Sequence, residues 1–192
     1  MLELNDVLLK GEKSTLSMMA HEGQLTCLTH RGADLRSTPL RWLYAMLGFE
    51  PVMAGFISID GEPVTPRTVL SLRRLMAFVP SSLEDVGHIT VYDAPTPDDV
   101  FALKANRHQS PQNIDAEALQ REIQLTGAMG QKARLLAVAV LLNRPILLID
   151  RPVASSIPYL RRQAMAGRTV IMASNDSAVV SQCDNTIEIN ED

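Results

Sequence analysis

Cysteine is scarce in this sequence and long apolar runs are missing, and each shortage removes a class of protein. The chain has two cysteines in 192 residues, Cys27 and Cys183, far apart and without a CxxC spacing. That pattern speaks against a disulfide scaffold and against a zinc site, and predicts two free thiols in a reducing cytoplasm. The longest unbroken apolar stretch, Leu135–Leu142, is eight residues, whereas a membrane-spanning helix needs about 20. The first residues, Met1-Leu-Glu-Leu-Asn-Asp, bring acid at once and lack the apolar core of a secretory signal. Basic residues are outnumbered, 18 Lys and Arg against 22 Asp and Glu, which leaves a net charge of −4 and no dense cationic patch. Such a chain is poorly suited to nucleic acid or to direct membrane insertion. His21, His30, His88 and His108 show no ligand spacing, so no metal site is expected.

What is present is an ordinary globular balance, 46% hydrophobic and 21% charged, enough for one domain over residues 1–192. Short strands are predicted at Leu2–Leu9 and Leu16–Met19 around a polar turn containing Gly11, and at Gln24–Thr29. Thr38 reads as an N-cap with Pro39 at the first helical position, and the helix runs to Leu47 before Gly48 ends it. Gly55–Asp60, Leu75–Val79, Ile146–Asp150, Thr169–Ala173 and Thr186–Ile189 read as further strands. Residues from 81 onward turn polar, contain Pro95, Pro97 and Pro111, and carry weak helical patterns at Asp98–Lys104 and Asp115–Gln124. They predict a mostly helical subdomain over 81–135, inserted in the larger domain. Lys132–Leu142 is apolar on nearly every side and predicts a buried helix. Pro158 starts a helix that ends near Gly167, and Ser177–Cys183 is a short one. Strands alternating with helices argue for an α/β domain with a largely parallel sheet, to which the strands before Gly23 add an antiparallel edge.

Seven segments, taken in order, resemble the ATPase domain of ATP-binding-cassette (ABC) transporters over essentially the whole chain. LELNDVLLK is similar to that family's first strand. LGFEPVMAGFISIDGEPV at 47–64 is close to its link between first helix and next strand, and FVP at 78–80 to the strand before its glutamine loop. Thr90-Val91-Tyr92-Asp93 resembles the segment after that loop. LTGAMGQKAR at 125–134 matches the signature motif in outline, ILLIDRP at 146–152 the Walker B strand, and GRTVIMASND at 167–176 the strand before the switch histidine. The resemblance implies a P-loop NTPase-like fold of ABC ATPase type, with a mixed sheet, an antiparallel edge and a small helical subdomain.

The chemistry of that family is largely missing from the matched positions. Its phosphate loop needs glycines and a Lys that reaches the phosphates. Here the loop is His30-Arg-Gly-Ala-Asp-Leu-Arg-Ser-Thr38, with Ala33 and Leu35 at glycine positions and the anionic Asp34 where anions bind. Arg36 stands at the lysine position and Ser37 at the magnesium position, or else Pro39 does at the former, and proline has no N–H. Arg36, Ser37 and Thr38 are a phosphate-site remnant or, the simpler reading, a solvated turn and a helix cap. Asp150 keeps the Walker B position. Arg151 replaces the water-activating Glu and cannot act as a base at neutral pH. Ser81 stands where the family has Gln, and Asn175 where it has the switch His, without that residue's ability to shuttle a proton. Thr126-Gly127-Ala128-Met129 replaces Ser-Gly-Gly-Gln.

The resemblance therefore implies a degenerate member with no catalytic residue and no cofactor, a structural or regulatory subunit. Its expected partners are a membrane permease subunit, a homologous ATPase or a second copy, which would hold a cytoplasmic protein at the inner face of the membrane. Two alternatives remain at this level: an atypical active ATPase using ATP and Mg, and a soluble binding module unrelated to transport.

Overall fold

The structure is a computed structural model that describes residues 1–30, 38–81 and 115–189, with only the backbone of Thr38. Two sheets form its frame. The first is parallel and five-stranded, in the order β6 (Met76–Val79), β7 (Ile146–Asp150), β8 (Thr169–Ala173), β3 (Leu25–His30), β9 (Asn185–Ile189). The second is antiparallel, in the order β2 (Leu16–Ala20), β1 (Leu2–Leu9), β4 (Val52–Ile59), β5 (Glu62–Pro63). The expected α/β architecture with parallel and antiparallel strands is present. The antiparallel strands, expected along the edge of one mixed sheet, hydrogen-bond among themselves in a sheet of their own.

Helix α1 (Thr38–Met46) explains the separation. Trp42, Leu43, Ala45 and Met46 bury one apolar cluster with Leu2, Leu4, Ile57 and Ile59 of the antiparallel sheet and Leu28, Phe78, Leu148 and Ile171 of the parallel one. The helix is thus packed between the two sheets. Arg41 ties it to the β1–β2 turn through Glu12 (2.6 Å) and to the next loop through Glu50 (2.6 Å). The opposite face of the parallel sheet sends Cys27, Leu147, Ile149, Val170 and Met172 into a second cluster. Helices α4 (Gly130–Leu141) and α5 (Ile157–Met165) cover it, with Val179 of α6 (Ser177–Val180). Successive residues of β7 alternate between the clusters, so both faces are buried and the strand reads as one continuous apolar run.

Several boundaries differ from the sequence reading. β4 begins at Val52, earlier than the alternation from Gly55 suggests, because it follows β1 through register shifts between Asn5 and Leu8 and between Leu8 and Leu9. Gly55 permits that path: its φ is +72°, and a Cβ there would lie 2.3 Å from the carbonyl oxygens of Asn5 and Asp6. Helix α2 (Val69–Leu72), held by reciprocal hydrogen bonds between Thr65 and Thr68, had no apolar period long enough to be legible. Helix α3 (Ala116–Leu125) starts on the side chain of Asp115, which accepts from the Glu117 N–H at 3.2 Å. α6 stops at Val180, short of the expected Cys183. The expected helix at Asp98–Lys104 lies outside the described residues.

Candidate functional site

The carboxyl ends of β7 and β8 open into a cleft of about 580 Å³, lined by Pro39 and Leu40 of α1, Asp150, Arg151, Ser174, Asn175 and Asp176. Crevices at this end of a parallel sheet are where α/β proteins bind ligands, because the strand-to-helix loops converge there.

Asp150 closes β7 and is 2% exposed. The only ion pair the described residues give it is with its neighbour, Arg151, whose Nε lies 3.4 Å from Asp150 Oδ2. Arg151 is held from several sides. Its backbone N–H donates to the Ala173 carbonyl at 2.7 Å, its guanidinium donates to Ser81 Oγ at 2.5 Å, and its own carbonyl accepts from Lys132 Nζ. Its φ is +45°, a conformation uncommon outside glycine that these contacts impose together. Arg151 thus links the exits of β6 and β7 with the start of α4. The contact of Lys132 is not legible in the sequence, since a lysine two residues into a helix carries no signal of which carbonyl it will reach.

Asn175 serves a different connection. Its side-chain oxygen accepts from the His30 N–H at 2.7 Å and from Thr29 Oγ1 at 3.1 Å. It fastens the exit of β8 to the end of β3, at the root of the loop over 31–37. Asp176, beside it, is spent on α6, accepting from the Ala178 N–H at 2.8 Å. Arg36 and Ser37 lie outside the described residues, and Thr38 enters only as the first residue of α1.

The signature-like segment lies between α3 and α4. Thr126 is buried, donating to the Ile123 carbonyl at 2.9 Å and accepting from the Ala128 N–H at 3.2 Å. Gly127 has φ +64°, and a Cβ there would meet the Ser155 carbonyl oxygen at 3.0 Å. The segment thus packs closely on the turn before α5, while Met129 is 89% exposed. Nearby, Tyr159 donates to Glu122 at 2.5 Å, and burial first, then that carboxylate, pushes the phenol well above its ordinary value.

Asp150 is a carboxylate at the right strand end, but a guanidinium already neutralises it and opposes a second cation there. Arg151 carries no carboxylate and Asn175 no imidazole.

The chain has the fold of the ATP-binding domains of ABC transporters. The solved structure of CbiO1 from Clostridium perfringens, part of the ABC transporter complex CbiONQ, superposes with a TM-score of 0.71 at 18% identity, over 99% of this chain and 84% of that one. A bacterial Atm1-family ABC exporter with ATP bound gives 0.65 at 16% identity, over 99% of this chain and 37% of that one. Among curated proteins, the ATP-dependent lipid A-core flippase of Albidiferax ferrireducens is 30% identical over 154 residues, 73% of this chain and 26% of its own length. The protein of the same name from Methylobacillus flagellatus is 26% identical over 98% of this chain and 32% of its own length. The chain thus spans about a quarter to a third of these curated relatives. No family model matches it.

Proposed function

We propose that this chain is an ABC ATPase-like protein that does not hydrolyse ATP and acts as a structural or regulatory subunit. It docks on a membrane permease subunit or on a homologous, active ATPase. The observation that carries this reading is Arg151. A permanently charged guanidinium stands next to Asp150, where the family's chemistry requires a carboxylate that activates water, and it is bonded to Asp150 and Ser81. The glycine-poor loop sequence over 31–37 supports the same reading, since loop shape makes a phosphate cradle. In this view residues 81–135 form the helical subdomain that offers the docking surface, and the cleft holds neither ATP nor magnesium.

One observation favours the second reading, an atypical active ATP-binding subunit: Asp150 is retained, buried, and edges the cleft. A calorimetric titration of the purified chain with Mg-ATP separates the two. The first reading expects no saturable heat up to millimolar nucleotide. Saturable, magnesium-dependent binding that is lost in Asp150→Asn supports the second.

A further inference from the structure

Each sheet ends in two edge strands, β2 and β5 in the antiparallel sheet, β6 and β9 in the parallel one. An edge strand turns a row of backbone N–H and C=O groups outward, and folded proteins normally blunt it by brevity, proline, charge or cover. Three of the four edges here are blunted. β5 is two residues long and one of them is Pro63. All four residues of β6 are buried. β9 carries the charged Glu188. β2 is the exception: Leu16-Ser-Met-Met-Ala20 is five residues long and contains neither a charge nor a proline. Among the described residues its backbone hydrogen bonds run to β1 alone, so its other side is open. Leu16, Met18 and Ala20 are buried in the cluster around α1, while Ser17 and Met19 face outward. Ser17 is already tied sideways to β1, donating to the Asp6 carboxylate at 2.9 Å. Two opposite charges flank the strand, Lys13 before it and Glu22 after it, and both are exposed.

We propose that β2 is a self-association edge: two copies of this chain pair their β2 strands antiparallel about a two-fold axis and extend the antiparallel sheet of each into the other. The strand itself sets the register. Side chains alternate between faces, and residues directly opposed across an antiparallel pair share a face. Leu16, Met18 and Ala20 must therefore meet their own kind for the buried faces to stay on one side. The register that pairs all five residues sets Met18 against Met18 of the second copy, Leu16 against Ala20, and Ser17 against Met19. It also carries Lys13 of each copy to the end of the other strand, where Glu22 stands. The dimer thus gains two contacts of opposite charge. A parallel pairing gains none, since it sets Lys13 beside Lys13 and Glu22 beside Glu22. This complementarity of the strand with itself selects a second copy as the occupant of the edge.

The test uses the full chain in sedimentation velocity runs from low micromolar to submillimolar protein at low salt, with amide hydrogen exchange measured at both ends of that range. The expected result is a reversible dimer that grows with concentration, in which the amides of Leu16–Ala20 exchange more slowly than in the monomer. Lys13→Glu and Glu22→Lys, both at exposed positions, are each expected to weaken dimerisation by about threefold or more. The double variant Lys13→Glu, Glu22→Lys exchanges the two charges and is expected to recover the affinity of the unaltered chain. Thermal melts of the three variants, expected to match the unaltered chain, separate a lost contact from a lost fold. A chain that stays monomeric at every concentration, a dimer whose β2 amides exchange as fast as in the monomer, or a double variant no stronger than the single ones would each overturn the proposal.

Discussion

The interior of the parallel sheet and the rim at its carboxyl ends follow different rules. In β7 and β8 every residue is buried, and the ten positions are apolar except for Asp150 and Thr169. One or two residues further on, the rim carries Arg151 and Asn175, and both are spent on structural ties, to Asp150 and Ser81 and to His30 and Thr29. Burial of apolar surface stabilises a strand whatever its last residue does. On the function proposed above, the fold persists while the groups at its strand ends are exchanged for others that merely hydrogen-bond.

The largest effect that would sharpen this contrast is expected in the sheet. Leu148→Ala in β7 should lower the free energy of unfolding by about 2–5 kcal/mol, since Leu148 is wholly buried against α1 and its neighbours. Denaturant melts measure it, and a loss below that range would mean that the cluster collapses around the missing atoms. Gly55→Ala comes next, with an expected loss of about 1–3 kcal/mol, because the new methyl would press on two backbone carbonyls only 2.3 Å away at a φ of +72°. An unchanged melting temperature there would show that the β1–β4 bulge yields easily. Tyr159→Phe should cost about 1 kcal/mol through the lost hydrogen bond to Glu122 that joins α5 to α3. On the rim the expectation is smallest: Arg151→Lys, which keeps a cation beside the buried Asp150, should move stability by about 0.5 kcal/mol or less. A large loss there would make Arg151 a keystone of the fold and end the contrast.

Legibility in the sequence followed the same division. β7 and β8 were read to the residue, because a strand buried on both faces writes itself as a run of apolar residues. Helix α1 was legible from Thr38, Pro39 and Gly48, each of which has a fixed meaning at a helix end. The separation of the sheets was not, since hydrogen bonding between strands leaves no local mark. In the candidate site, the residue types at 81, 150, 151 and 175 were legible from motif order. Their partners were not: nothing in a one-dimensional pattern tells that Asn175 reaches His30 or that Lys132 reaches the Arg151 carbonyl.

The central claim is that the cleft lacks the means to hold and cleave ATP, and that the lack is not confined to the two rim residues. Hydrolysis in this family rests on positioning and electrostatic stabilisation, which fail together when the phosphates are not held. The most direct measurement is magnesium-dependent phosphate release by the purified chain and by its double variant Arg151→Glu, Asn175→His. The account predicts no rate above a buffer blank for either protein. Magnesium-dependent turnover by the double variant would contradict it, by placing the whole defect at residues 151 and 175 and leaving the loop over 31–37 competent to bind phosphate.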